Sequence, residues 1–328
     1  MQILVTGGAG YIGSVVADQL LCAGHNVTVL DNLIMGWREA VPPEAEFIQA
    51  DTSDEAALDL LFSSRNFDAV IHFAALIEAG ESVKVPEQYF ANNSLSALTL
   101  LRVMLKYNVS RFVFSSTAAV YGEPKVVPIP EDHPLSPTNP YGESKLIVEQ
   151  MLNWLHQAHG LRYASLRYFN AAGATTNRGE AHRSESHLIP LILRVPLGQR
   201  DDIAIFGVDY PTKDGTCVRD YIHIEDLATA HMLALQGLES HETLICNLGT
   251  GSGFTVREVI DCARKVTGHP IPARECGRRP GDPAVLVASS DKARRLLGWN
   301  PQRSNLESIV ASAWKWHKSH PHGYNTLP

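Results

Sequence analysis

The opening of the chain restricts its fold more than any other stretch. It reads Gln2-Ile-Leu-Val-Thr6, Gly7-Gly-Ala-Gly10-Tyr-Ile-Gly13, Ser14-Val-Val-Ala-Asp-Gln-Leu-Leu-Cys-Ala23, Gly24-His-Asn-Val27-Thr-Val-Leu30-Asp31. An apolar strand, a glycine turn, an amphipathic helix and a second apolar strand closed by an acid follow in order. A βαβ unit with glycines at its first turn cradles a dinucleotide. Gly7 allows a tight turn out of the strand. Gly10 lets the backbone approach a pyrophosphate, and Gly13 lets the helix lie close on the sheet. The N–H groups that open the helix then hold the anion. Asp31 stands where a carboxylate accepts from adenosine ribose hydroxyls and repels a 2′-phosphate, so the expected cofactor is NAD rather than NADP.

With 328 residues, 45% of them hydrophobic, the chain can bury a large core and build two lobes. Its net charge of −7 gives no reason to expect nucleic acid or an anionic membrane as a partner. Five scattered cysteines (Cys22, Cys217, Cys246, Cys262, Cys276) are odd in number and form no Cys-x-x-Cys pair. They read as reduced thiols of a cytoplasmic protein. Met1 leads straight into a strand, so no signal peptide is expected. No apolar run reaches the roughly 18 residues of a membrane span.

Further along, Phe47-Ile-Gln-Ala-Asp51 forms a third strand. Asp51-Thr52 either touches an adenine edge or caps the helix that begins at Glu55. Residues 69–75 form a buried strand whose end, Phe73-Ala74-Ala75, leaves room for a cofactor; His72 reads as a core histidine. Residues 92–106 form a helix apolar almost all round, covered on one side by its own sheet and on the other by a second subunit or by the same chain. Residues 111–115 form the next strand, and the hydroxyls after it face the ligand crevice. A helix runs from Tyr141 to about His159, followed by a strand over residues 161–168. The expected architecture is α/β, a doubly wound parallel sheet of Rossmann type with a smaller mixed α/β substrate lobe. Residues 1–170 and about 218–250 form the first domain, residues 171–217 and about 251–328 the second. His317, His320 and His322 read as a solvated C-terminal segment, and no metal is expected.

Tyr141-Gly-Glu-Ser-Lys145 puts Tyr and Lys at i and i+4, on one helix face. A free phenol has a pKa of about 10 and is a poor base near neutrality. Lowering it by about three units takes about 4 kcal/mol. An ammonium at about 4 Å supplies that order of energy at an effective dielectric near 20, and an oxidised nicotinamide adds a second positive charge. The phenolate can take a proton from a substrate hydroxyl while hydride leaves the same carbon. Thr117 is the candidate hydroxyl for steadying the developing alkoxide.

With these motifs assembled, the chain resembles the extended short-chain dehydrogenase/reductase family, and within it the branch that epimerises UDP-glucose at carbon 4. The resemblance covers essentially the whole chain. It rests on residues 6–14, Asp31-Asn32-Leu33, His72-Phe-Ala74, Gly80-Glu-Ser82, residues 115–122 and 139–145, and Leu166-Arg-Tyr-Phe-Asn170. Ala204-Ile-Phe-Gly207, Asp209-Tyr-Pro-Thr212, Asp214-Gly-Thr216, Val218-Arg-Asp-Tyr-Ile-His223 and residues 279–282 complete it. It implies UDP-glucose/UDP-galactose interconversion through a 4-keto sugar, with tightly bound NAD, in a cytoplasmic homodimer. Tyr141 would be the base, Lys145 its partner and Thr117 the third catalytic residue. Gly7, Gly10, Tyr11, Ile12, Asp31, Asn32, Asp51, Thr52, Phe73, Ala74, Ala75, Asn92, Ser115 and Tyr168 would hold the cofactor with Tyr141 and Lys145. Asn170, His187, Leu188, Ala204, Ile205, Phe206, Arg219, Arg279 and Asp282 would join Thr117 and Tyr141 around the UDP-sugar, the arginines suiting its diphosphate.

Two positions depart from the family pattern. Ile77 stands where some epimerases carry a lysine. Leu286 stands where strict glucose/galactose enzymes carry a bulky tyrosine, so N-acetylated UDP-hexosamines are a second expected substrate class; pentose and uronic-acid nucleotides stay open. Related dehydratases carry an Asp-Glu pair after the strand-end Thr, where this chain has Ala118 and Ala119, which argues against elimination of water. A non-catalytic dinucleotide sensor is the alternative of another class.

Overall fold

The computed structural model describes residues 1–279 and 282–324. Pro280 and Gly281 of the Arg279-to-Asp282 motif, and residues 325–328 of the expected second domain, lie outside them.

Seven parallel strands form the main sheet: β1 (Gln2–Thr6), β2 (Asn26–Asp31), β3 (Glu46–Gln49), β4 (Ala69–His72), β5 (Arg111–Thr117), β6 (Arg162–Tyr168) and β11 (Thr243–Leu248). Their order is β11-β6-β5-β4-β1-β2-β3, so the chain winds outward in one direction and then in the other from β1. The reversal between β1 and β4 opens a crevice at the strand ends, the place where such sheets bind ligands.

The pleat sorts the side chains into two cores. Ile3 and Val5 of β1, Val27 and Val29 of β2, and Ile71 of β4 face the layer of α1 (Tyr11–Cys22) and α8 (Ile224–Gly237). Leu4, Leu30, Val70, Phe112 and Phe114 face the layer of α2 (Glu55–Ser64), α5 (Ser96–Lys106) and α6 (Pro140–His159). Both faces are therefore covered, which explains why these strands are nearly continuous apolar runs. Two short helices, α3 (Ala79–Ser82) and α4 (Pro86–Tyr89), precede α5.

The expected helix over residues 92–106 is two structures. Phe90–Leu95 is a π turn, and only Ser96–Lys106 is α-helical. Asp54, not Asp51 or Thr52, caps α2, its carboxylate accepting from Ala57 N at 3.0 Å.

The remaining strands are short. β7 (Asn170–Ala172) pairs with β10 (Tyr221–His223), and β8 (Ile203–Phe206) with β13 (Ala273–Cys276). β9 (Val218–Arg219) pairs with β12 (Phe254–Thr255) and β14 (Val285–Leu286). Val218 and Arg219 thus sit among strands of the smaller lobe, two residues before the chain turns back toward the large sheet. Three helices, α7 (Leu188–Leu193), α9 (Val256–Thr267) and α11 (Leu306–Ser319), enclose that lobe's core of Ile192, Ile203, Ile205, Ile260 and Ile309. The helix between them in sequence, α10 (Asp291–Leu297), departs from the expected division. Ala293, Leu297 and Trp299 join the α1/α8 core, and Trp299 Nε1 donates to Asp226 O at 2.8 Å. None of the described helices is long and apolar enough to cross a membrane.

Candidate active site

The first turn is built as its glycines require. Gly7 has φ +72°, and a Cβ there would stand 2.5 Å from Ala74 N. A Cβ on Gly13 would reach within 2.4 Å of Gly7 O, so the helix rests directly on the turn. Gly10 is the N-cap of α1 and supplies no side chain to its first turn, which leaves the helix start available to an anion.

Two chambers of about 260 and 520 Å³ meet at this turn and share Gly7, Gly10, Phe73 and Ala75. The larger is walled by Asp31, Asn32, Asp51, Thr52, Ala74 and Asn92. The smaller is walled by Tyr11, Ile12, Ser115, Thr117, Tyr141, Lys145 and Tyr168. Ile77 also faces the smaller chamber. This geometry suits a dinucleotide: two nucleoside compartments with a helix N-terminus between them. In the larger one, Asp31 accepts from Ala9 N at 3.0 Å and Leu33 N at 2.8 Å; burial nevertheless pushes its carboxyl up. Asn32 Nδ2 donates to Asp51 Oδ2 at 2.7 Å. Burial pushes the Asp51 carboxyl up, but bonds from Ser53 and Asn32 outweigh that and hold it low.

Thr117 ends β5, and the candidate side chains Tyr141 and Lys145 hang from α6. Asn139 caps it, accepting from Gly142 N at 2.9 Å, and Pro140 occupies its first turn. A buried ion pair then fixes the helix to the sheet. Glu149 accepts from Arg167 Nε of β6 at 3.0 Å and from Ser116 Oγ of β5 at 2.5 Å. Lys145 Nζ donates to Ser115 O at 2.9 Å, and Thr117 Oγ1 accepts from Ala119 N at 3.1 Å. Ser115 Oγ and the Tyr168 hydroxyl are in hydrogen-bond contact.

The electrostatics correct the expectation drawn from spacing. Burial raises the Tyr141 phenol above its ordinary value, with the Thr117 hydroxyl opposing. The same burial lowers Lys145 to about 7. The chain's own groups therefore do not produce the expected lowering: burial outweighs the one opposing contact, from the Thr117 hydroxyl.

A third cavity of about 320 Å³ opens beside the smaller chamber, and Asn170 and His187 line both. Leu188, Ala204, Phe206, Arg219, Arg279 and Asp282 line the rest. Asn170 is held by Asp220 O, to which its Nδ2 donates at 2.9 Å. Arg219 is ion-paired to Asp282, and the Arg279 guanidinium lies 4.0 Å over the Phe206 ring. Ile205 does not belong to this set. Alternation along β8 turns Ala204 and Phe206 to the cavity and sends Ile205 into the core, 2% exposed. Leu286 packs with Phe169 on the cluster of Ala118, Val120 and Leu146, directly behind the Thr117 turn.

Sequence reasoning missed several residues. Met35, Leu76, Phe169, Glu180 and His182 line the smaller chamber. Asn93 is placed by the π turn: its Oδ1 accepts from Leu76 N at 2.8 Å, and its Nδ2 donates to Leu76 O and Ser144 Oγ, each at 3.0 Å. Its neighbour Asn92, which the sequence pointed to, lines the larger chamber and donates from Nδ2 to Asn93 Oδ1 at 3.0 Å. His317 departs from the solvated reading: it lines a further cavity with Glu180, His182 and Glu185, and burial lowers it.

Comparison with known proteins agrees with this geometry. Residues 3–249 match the NAD dependent epimerase/dehydratase family. The chain is 55% identical to the UDP-glucose 4-epimerase of Halalkalibacterium halodurans, over 99% of this chain and 98% of that one. A solved UDP-glucose 4-epimerase superposes with a TM-score of 0.97 at 51% identity, over 99% of this chain and 100% of that one. The Bifidobacterium longum enzyme, solved with NAD+ and UDP, gives 0.94 at 40%, over 99% and 100%. On the strength of the fold, the glycine turn and these matches, the chain belongs to the NAD dependent epimerase/dehydratase family.

Proposed function

We propose that the chain interconverts UDP-glucose and UDP-galactose through a 4-keto intermediate, using Tyr141, Lys145 and Thr117 on a UDP-hexose seated between the smaller chamber and the third cavity. The observation that carries this reading is the adjacency of those two spaces, which share Asn170 and His187 as walls. It lets one ligand reach from the Tyr141 hydroxyl to Arg219 and Arg279. Full-length relatives are named for the same reaction.

NAD, held by the glycine turn and the two chambers, would supply a hydride acceptor and donor for sugar carbon 4 and a positive ring charge that favours the phenolate. Tyr141 accepts the 4-hydroxyl proton and later gives it back from the same oxygen. Thr117 donates to the sugar oxygen while charge develops there. Lys145, fixed by Ser115 O, favours the phenolate whenever it is protonated. Arg219 and Arg279 hold the diphosphate, so the keto sugar can turn about that link and present its other face. Ala118 and Ala119 carry no acid that could drive elimination instead.

A second substrate class is favoured by Leu286, an aliphatic side chain packed on the Ala118 cluster where related strict glucose/galactose enzymes carry a tyrosine. Homodimer assembly through α5 and α6 is supported by the exposure of Leu95 and Trp154. A reducing, cytoplasmic setting is supported by five unpaired cysteines.

One experiment tests these substrate readings together. A panel of UDP-sugars is incubated without added reductant, and products are resolved by NMR. UDP-glucose should yield UDP-galactose, and UDP-GlcNAc should turn over at a comparable rate. Tyr141→Phe should lower kcat by about 10²–10⁴-fold while keeping its NAD. Full activity in Tyr141→Phe would remove the phenol from the mechanism.

A further inference from the structure

Between β7 and α7 the chain runs Gly179-Glu-Ala-His-Arg-Ser-Glu-Ser-His187. One ligating atom from each of Glu180, His182, Glu185 and His187 lies within 4.8 Å of the other three. His182 Nδ1 stands 3.2 Å from Glu180 Oε1 and 3.5 Å from Glu185 Oε2. His187 Nδ1 stands 3.0 Å from Glu180 Oε1 and 2.9 Å from Glu185 Oε1. Both carboxylates are buried, with 5% and 2% side-chain exposure, and among the described residues neither pairs with a lysine or arginine. Acids that deep need a cation. His182 Nδ1 is buried and in hydrogen-bond geometry with neither carboxylate, although both are close.

A shared central ion explains that arrangement. Zinc bonds of about 2.0–2.2 Å to nitrogen and oxygen give a tetrahedron with edges of about 3.3–3.6 Å. From the shared Glu180 Oε1, His182 Nδ1 lies just under that length and His187 Nδ1 needs to open by a few tenths of an ångström, while Glu185 turns a different oxygen to each histidine, so one of its two contacts would have to be given up. Two imidazoles with two carboxylates suit zinc and its first-row neighbours rather than magnesium or calcium, which favour all-oxygen sets.

We propose that Glu180, His182, Glu185 and His187 form a four-ligand site for a divalent cation of the zinc class, which clasps this segment over the dinucleotide cleft. Four protein ligands leave no open position, so the role is structural. The segment already forms the outer wall of the cleft. The His182 ring meets Tyr11 edge-on at 6.3 Å, Trp37 Nε1 donates to Ala181 O at 2.6 Å, and the Arg183 guanidinium lies 4.2 Å over the Trp37 ring. The rival filling is protons. Burial pulls both histidines down, yet the two carboxylates hold His182 at about 9 and His187 at about 11, so a doubly charged histidine pair could neutralise the acids instead.

The two fillings are separated on untagged full-length protein, without substrate, so the outcome does not depend on the epimerase reading. Elemental analysis measures the metal that co-purifies. Competition with a chromophoric chelator measures zinc affinity in the wild type and in Glu185→Gln, with circular dichroism to verify folding. The expected result is close to one zinc per chain and a loss of at least about 100-fold in affinity in the variant. Stripping the metal from the wild type should also speed loss of dinucleotide on gel filtration. No co-purifying metal, with the same weak zinc affinity in both proteins, would overturn the site in favour of protons. If Glu185→Gln fails to fold, stripping and reloading the wild type decides: failure to regain one tight equivalent overturns the site. Unchanged dinucleotide retention after stripping overturns the clasp.

Discussion

Lys145 carries a stability cost as well as a proposed catalytic role. Burial takes its ammonium from an ordinary 10.5 to about 7. At roughly 1.36 kcal/mol per unit, keeping it charged in the folded chain costs on the order of 5 kcal/mol. A folded-state value below the unfolded one means the unfolded chain binds more protons between about pH 7 and 10.5. Stability therefore rises with pH across that window, and the penalty is complete below pH 7. Lys145→Met keeps the length and removes the charge, leaving Ser115 O without a donor at a cost of about 1–3 kcal/mol. The NAD-free variant should be about 2 kcal/mol more stable than wild type at pH 6–7. That advantage should shrink by about 1.36 kcal/mol per pH unit above 7 and reverse at about pH 8.5, while epimerase activity is lost. Urea unfolding at pH 6, 7.5 and 9 reads this directly, and an advantage independent of pH would exclude the buried charge as its source. The same residue shows where sequence reasoning stopped. The i, i+4 spacing placed Tyr141 and Lys145 on one helix face, but the sign of the phenol shift depends on burial, which only packing decides.

Among the elements, the π turn at Phe90–Leu95 does most to shape the cleft wall. An extra residue in a helical turn rotates every later residue of the helix, and such turns cluster at functional sites. Here it lets Asn93 bridge the loop after β4 to α6, through Leu76 and Ser144. Asn93→Ala removes four bonds, two of them to the Leu76 backbone beside the dinucleotide cleft and one from Asn92 Nδ2. The expected loss is about 1–3 kcal/mol of stability, with faster release of bound NAD and little change in the KM for UDP-glucose. Thermal melting and cofactor retention measure it; wild-type retention would mean that the loop is held by other contacts. Nothing in the sequence marked this turn, because an apolar stripe at helical spacing reads the same with or without one inserted residue. The βαβ unit was legible because Gly7, Gly13 and Asp31 each answer a single local demand. Two-residue strands such as β9, β12 and β14 were not, since their pairing joins residues far apart in the chain. The cluster at Glu180, His182, Glu185 and His187 was overlooked for a related reason: its spacing follows no regular element, and only the course of the segment gathers it. Ile205 was misplaced by one step of strand alternation.

At the scale of the whole molecule, the described residues gather the candidate site within one chain. The surface also presents large exposed apolar side chains beside the α5 and α6 layer. On α5 the inner residues Ala97, Leu100, Leu101 and Met104 are buried, while Leu95, just before it, is 60% exposed; on neighbouring α6, Trp154 is 68% exposed. Large apolar side chains on two adjacent helices suit a two-fold interface, in which each helix pair meets its own copy. Such an interface buries about 1,200–2,000 Å² in stable complexes, and Trp anchors commonly dominate its energy. The double substitution Leu95→Glu and Trp154→Glu would set like charges near one another across that axis. Both side chains point outward, so folding should change by no more than about 0.5 kcal/mol. Sedimentation velocity at micromolar concentration should show a dimer for wild type and a monomer for the double variant. The variant should retain its NAD and most of its turnover per chain, since no residue of the proposed cleft is lost. A monomeric wild type would leave these helices without a partner, whereas loss of NAD on dissociation would show that the interface also steadies the cleft, through the Asn93 bridge that joins the same two helices to its wall.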